Sequence, residues 1–348
     1  KRALFIGGTG TISMAISRLL LSSGHDLTLL NRGSRTSELP SSDNLHIINV
    51  DINDEDKVKA LLEGQTFDSV CDFIGFVPAQ VERDIRLFEG ITKQYMYISS
   101  ASAYNKPGRD YVITEGTSLA NPYWEYSRNK IACEELLMKV YRERNFPVTI
   151  IRPSHTYDER SIPLGVHGTK GSWQVAKRML EGKPVIIHGD GTSLWTMTHN
   201  SDFAKGFVGL IGNPHAIGEA FQITNDETLT WNQIYETLAK CLNVEFKPYY
   251  VSSAFLAKAS GADKDGVGKF DYIGSLIGDK ANSVVFNNAK LKKAVPGFVP
   301  SVRFEQGIKA TIDYVLSHPE CQIEDPEFDS WCDNVIKTLD EAALSLCK

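Results

Sequence analysis

Arg2-Ala3-Leu4-Phe5-Ile6-Gly7-Gly8-Thr9-Gly10-Thr11-Ile12-Ser13 is the stretch that decides the fold. Ala3–Ile6 is an apolar run of strand length, and from Ile12 to Leu21 the apolar residues recur at helical spacing. Between them Gly7, Gly8 and Gly10 form a turn. A strand that passes through a glycine turn into a helix brings its backbone close to whatever sits on the helix N-terminus. There the free N–H groups and the helix dipole hold a phosphate-like anion. Ser13 stands where a third small residue packs helix on strand.

Working outward, apolar runs alternate with helix-like stretches, the pattern of βαβ units feeding a parallel sheet. Strands are expected at Ala3–Ile6, Asp26–Leu30, Leu45–Val50, Ser69–Phe73, Gln94–Ser99 and Val148–Arg152, and helices at Ile12–Leu21, Asp54–Leu62, Val81–Glu89 and Tyr123–Arg144. The fold class is therefore α/β, a Rossmann-type doubly wound parallel sheet with helices on both faces and a smaller C-terminal substrate lobe. After Arg152 glycines and prolines crowd the chain (Pro153, Pro163, Gly165, Gly168, Gly171, Gly182, Pro184), and it leaves the sheet. Ala220–Thr224 reads as a strand returning to it. The expected division is 1–152 plus about 195–226 for the sheet domain, and 153–194 plus 227–348 for the lobe, where Trp231–Leu242 and Phe304–Leu316 are amphipathic helices. Ser253–Lys269 reads as a mobile loop or weak helix. From Pro326 onward Phe328, Trp331, Val335, Leu339 and Leu346 share one helix face, which serves either a homodimer contact or packing on its own lobe.

The bulk properties narrow the function classes. A length of 348 residues suggests two lobes meeting at a cleft. No run of eighteen apolar residues is present, and Lys1–Ile6 leads straight into the glycine turn without a leader, so a cytoplasmic protein is expected. Cys71, Cys133, Cys241, Cys321, Cys332 and Cys347 show no metal or disulfide spacing; reduced, mostly buried thiols and no metal site are expected. The net charge of -6 argues against nucleic acid as a partner.

The chemistry-bearing residues follow the sheet. A dinucleotide pyrophosphate suits the first turn. The second strand ends in Leu30-Asn31-Arg32, where an acidic residue would bind the ribose 2′-hydroxyl of NAD; an uncharged Asn31 and the fork of Arg32 favour NADP(H) over NAD(H). Asp51 and Ile52 end the third strand within reach of an adenine, while Asp54 is equally a helix N-cap. Tyr126 and Lys130 stand four residues apart on one helix face, so an ammonium can stabilise the phenolate of a tyrosine base. Ile98-Ser99-Ser100-Ala101-Ser102-Ala103-Tyr104 leaves hydroxyls at the carboxyl edge of a strand, where ligands bind.

These motifs, with Ile151-Arg152-Pro153-Ser154, Gly189-Asp190-Gly191 and Asp202-Phe203-Ala204, resemble those of the extended short-chain dehydrogenases/reductases, specifically the NAD-dependent epimerase/dehydratase family that acts mainly on nucleotide sugars. The resemblance implies Tyr126 as base, Lys130 as its partner and ribose ligand, and Ser100, four residues before Tyr104, as hydrogen-bond donor to the reacting oxygen. It places Gly7, Thr9, Gly10, Thr11, Ile12, Asn31, Arg32, Asp51, Ile52, Tyr126, Lys130 and Pro153 around the cofactor, and implies a small-molecule substrate of nucleotide-sugar type.

The departures bear on the reaction. Family dehydratases carry Asp-Glu after the hydroxyl residue; Ala101 and Ser102 stand here, which disfavours water elimination. Trp195 stands where relatives clamp a diphosphate with arginine, and an indole cannot pair with that charge. Asp72-Phe73-Ile74-Gly75 lacks the family's His-Ala-Ala. These changes resemble an atypical branch that includes chloroplast stem-loop RNA-binding proteins. Three functions follow as expectations: a sugar-nucleotide epimerase first, an NADPH-dependent ketone reductase on a non-nucleotide substrate second, and a cofactor-binding RNA-binding or regulatory protein third.

Overall fold

The computed structural model describes residues 1–32, 38–261 and 269–347. Seven strands form one parallel sheet: β1 (Arg2–Ile6), β2 (Asp26–Asn31), β3 (Leu45–Asn49), β4 (Ser69–Asp72), β5 (Tyr95–Ile98), β6 (Val148–Pro153) and β7 (Glu219–Ile223). Their order is β7-β6-β5-β4-β1-β2-β3, so the chain reverses direction across the sheet beside β1. A parallel sheet buried on both faces needs apolar residues at every position, and Ala3, Leu4, Phe5 and Ile6 are all fully buried. The edge strand β3 is instead largely exposed.

Helices cover both faces. α1 (Thr11–Ser22) packs its Met14, Ile16 and Leu20 against α6 (Asn200–Leu210) on one side. On the other lie α2 (Glu55–Leu61), α3 (Pro78–Phe88) and α4 (Glu125–Arg144), with Val58, Val81, Ile85, Leu137 and Val140 facing the sheet. A third cluster forms the rest of the molecule around Trp231, Tyr235, Ile308 and Phe328. It draws on α5 (Trp173–Leu180), α7 (Trp231–Cys241), α8 (Ser253–Ala259), α10 (Phe304–Ser317) and α11 (Pro326–Leu346), while α9 (Ala289–Ala294) sends Leu291 to the α6 side of the sheet. No helix among the described residues is long and apolar enough to cross a membrane.

The structure decides several expectations and corrects others. The helix expected from Tyr123 begins at Glu125, because the extended backbone of Trp124 caps it. Asp54 is an N-cap, accepting from the Lys57 amide at 3.3 Å. Of the stretch expected as loop or weak helix, Ser253–Ala259 is helical, and residues 262–268 lie outside the described residues. Residues 33–37, which follow Arg32, also lie outside them. On α11, Phe328, Trp331 and Val335 pack into the chain's own lobe, but Leu346 is 87% exposed, about two turns beyond Leu339, the last residue packed there. Only Cys71, Cys133 and Cys332 of the six thiols are buried; Cys347 is exposed.

Candidate active site

The glycine turn opens onto a cleft of about 540 Å³ at the carboxyl ends of β1, β2 and β3. Gly7 has φ +81°, the left-handed region, and a Cβ there would strike Ile74. Gly10 differs: its φ of −85° suits any residue, and a Cβ would meet only Ser13 Oγ, at 3.6 Å. The protein's own packing does not demand glycine at this position; the room left open belongs to the cleft. Ser13 fastens the turn, donating to the Gly7 carbonyl at 2.9 Å and accepting from the Gly10 amide at 2.8 Å. The open N-terminus of α1 thus faces the cleft, a fit for a dinucleotide pyrophosphate.

Gly7, Thr9, Gly10, Asn31, Arg32, Asp51 and Ile52 all line this cleft. Thr11 and Ile12 do not; they start α1, Ile12 packs against the core between α1 and α6, and the Thr11 carbonyl accepts from Asn200 Nδ2 at 3.1 Å. Sequence reasoning missed Asn53, Phe76 and Arg83, which also line it. Arg83 is already committed, to Asp84 at 2.7 and 2.9 Å and to Asn53 at 2.9 Å.

A second pocket, about 230 Å³, is lined by Ser100 and Tyr126 together with Trp124, Pro153, His155 and Trp195. Pro153, expected at the cofactor, lines this pocket. Two neighbouring serines part company at the end of β5: Ser99 is buried and donates to Glu134, while Ser100 faces the pocket. Glu134 in turn grips Arg152 at 2.6 and 2.9 Å, tying α4 to β6. Ser102 lines the pocket too, bonded to Ser100 at 2.8 Å and to Ser127 at 2.6 Å.

Lys130 lies beneath Tyr126, 2% exposed, its Nζ 5.8 Å from the Tyr126 ring centre. That Nζ donates to the carbonyls of Gly75 (2.6 Å) and Ile98 (2.7 Å). Gly75 stands between Ile74 and Phe76 of the cofactor cleft, and the Lys130 Nζ lies 4.8 Å from the Phe76 ring centre, so Lys130 ties α4 to the segment that walls the cleft. Burial pulls Lys130 down to about 8, against the pull of Asp72. In the chain alone burial raises the Tyr126 pKa, and the Ser100 hydroxyl draws it back. With its ammonium spent on two carbonyls, Lys130 does little for the phenolate in the chain alone.

The remaining motifs are structural. Asp190 closes its own turn through Thr192, and Asp202 accepts from the amides of Ser301 and Val302. Trp195 donates to His155 Nδ1 at 3.2 Å and stacks on Trp231 at 5.5 Å, filling space with indoles. Three further pocket residues escaped the sequence, Lys106, Asp279 and Lys280. A Lys-Pro at the end of a turn and a Gly-rich apolar stretch gave no signal that they would meet.

Residues 3–224 match the sequence profile of the NAD dependent epimerase/dehydratase family. The chain is 30% identical over 254 residues to the chloroplast stem-loop binding protein of 41 kDa b of Arabidopsis thaliana, covering 69% of this chain and 63% of that protein. It is 23% identical to 2'-dehydrokanamycin reductase of Streptomyces kanamyceticus over 74% of this chain and 71% of the other. Among solved structures, UDP-glucuronic acid 4-epimerase from Bacillus cereus, complexed with UDP-glucuronic acid and NAD, shares the fold with a TM-score of 0.69, 18% identity, and coverage of 91% of this chain and 99% of the other. With its sheet order, its glycine turn at the switch point and this profile match, the chain belongs to the NAD-dependent epimerase/dehydratase family.

Proposed function

We propose that the chain catalyses NAD(P)-dependent hydride transfer at a hydroxyl or keto carbon of a sugar-like substrate, with Tyr126 exchanging the proton of the reacting oxygen. One observation carries the reading: Ser100 and Tyr126 share a pocket wall beside Lys130, whose Nζ donates to Gly75, between two residues that line the cofactor cleft. A bound nicotinamide supplies the hydride acceptor or donor. Ser100 donates a hydrogen bond to the substrate oxygen, held in place by its bonds to the Ser102 hydroxyl and amide. Tyr126, its pKa raised by burial, is matched to giving a proton to a developing alkoxide; taking one requires the phenolate to be stabilised by ligands bound beside it. The indoles of Trp124 and Trp195 keep water from the reacting carbon.

Ala101 and Ser102 offer no carboxylate pair for elimination, so epimerisation of a sugar nucleotide stands ahead of dehydration. A second reading, net reduction of a ketone on a non-nucleotide substrate, is favoured by the indole of Trp195 and by a pocket smaller than the roughly 300–1,000 Å³ usual for drug-sized ligands. The two separate by whether NADPH is consumed or the dinucleotide is returned unchanged each turnover. Tyr126→Phe tests both: turnover is expected to fall by roughly 10²–10⁴-fold with dinucleotide affinity nearly intact. Full activity in that variant would remove Tyr126 from the mechanism.

A further inference from the structure

The Tyr126 pocket has a charged wall that proton and hydride exchange leave unused. Lys106 is 4% exposed, and its Nζ lies 4.0 Å from Asp279 Oδ1. Lys280 Nζ lies 3.5 Å from the other oxygen of the same carboxylate. A charge-assisted hydrogen bond closes to roughly 2.7–2.9 Å, so this carboxylate satisfies neither ammonium fully. The other buried cations among the described residues do close: Arg83 at 2.7 Å, Lys130 at 2.6 Å, Arg152 at 2.6 Å and Arg178 at 2.7 Å. Lys106 stands apart from them, and an ammonium kept from water without hydrogen bonds is costly. Burial accordingly draws its pKa down, with Asp279 opposing.

The gap is built in rather than slack. Asp279 and Lys280 sit on a π-helix, Ile273–Lys280, a rare conformation that gathers at functional sites. Its last carbonyl, of Lys280, accepts from Trp231 Nε1 and His188 Nε2, both at 3.1 Å. The Gly278 carbonyl accepts from Asn121 Nδ2 at 2.7 Å. So fastened, the π-helix cannot slide to bring Asp279 onto Lys106.

We propose that this wall is an anion subsite, and that the substrate of the Tyr126 pocket carries a carboxylate which lodges between Lys106 and Lys280. The proposal deepens the reading of this pocket as the reacting site and rests on it. Two ammonium groups against one carboxylate leave a single positive charge, the complement of a monoanion. The pocket, about 230 Å³ and walled by Trp195 stacked on Trp231, suits a small sugar acid.

The test is calorimetric, on the full chain with and without saturating NADP⁺, using D-gluconate and D-galacturonate against D-glucose and D-galactose, with glucose 6-phosphate and UDP-glucose as further arms. A sugar acid is expected to bind about tenfold or more tighter than its neutral counterpart. Lys106→Met should erase that preference, Lys106→Arg should keep it, and Asp279→Asn should strengthen acid binding by removing a competing carboxylate. A merely structural ion pair predicts the opposite sign for Asp279→Asn. Four results overturn the proposal: no acid outbinding its neutral counterpart, a preference that survives Lys106→Met, weaker acid binding in Asp279→Asn, or a Lys106-dependent preference for the phosphate ester or UDP-glucose in place of the acids. Failure to bind NADP⁺ or NAD⁺ would refute the enzyme reading alone and leave the comparison of acid with neutral sugar standing.

Discussion

Tyr126 and Lys130 share a helix face because a turn of helix separates them, and that much is written in the sequence. What the ammonium bonds to is not, because Gly75, in the loop after β4, and Ile98, at the end of β5, reach Lys130 from distant parts of the chain. Ser100 was separable from Ser99 by resemblance alone; the physical reason is Glu134, which claims Ser99. Arg32 and Arg83 both line the cofactor cleft, and Arg83 is already bonded to Asp84 and Asn53, so Arg32 is the arginine at which a ribose 2′-phosphate contact is tested. Arg32→Ala is expected to weaken NADP(H) binding by roughly tenfold or more relative to NAD(H), measured by calorimetry with both dinucleotides. Equal losses would assign Arg32 to the adenine or to solvent.

At the level of elements, the strands and sheet helices were legible because each carries a period and a boundary that local chemistry enforces. β1 shows this best: four apolar residues stop at the glycine turn, in the sequence and in the structure alike. Ends drift by a residue or two where only the last hydrogen bond decides, as at β4, expected to Phe73 and ending at Asp72. The π-helix at Ile273–Lys280 was illegible, since apolar spacing cannot distinguish its wider turns from a loop rich in glycine. Nor could spacing bring Lys106 to Asp279, some 170 residues further along the chain. The site's reactive half is thus local in sequence, and its charged half comes from long-range packing.

For the whole molecule, burial of histidines sets a pH dependence. His155, His167, His188 and His199 are all lowered from 6.5, burial foremost, His188 to about 4. Below pH 6.5 the unfolded chain binds protons that the folded chain refuses, so stability falls with acid. Asp84, raised by burial and by Asp72, works in the opposite sense but is one group against four. Between pH 7.5 and 5 stability and the melting temperature should therefore drop; a flat or rising profile by calorimetry would contradict the buried neutral histidines. The account as a whole stands on a dinucleotide seated at the glycine turn, and Gly10 tests that most directly, because only Ser13 Oγ, at 3.6 Å, and the cleft adjoin its missing side chain. Titration of NADPH, followed by its fluorescence, should show saturable binding to the natural chain and at least about a tenfold loss for Gly10→Val with the fold intact. Equal binding by both, or binding by neither, would contradict it.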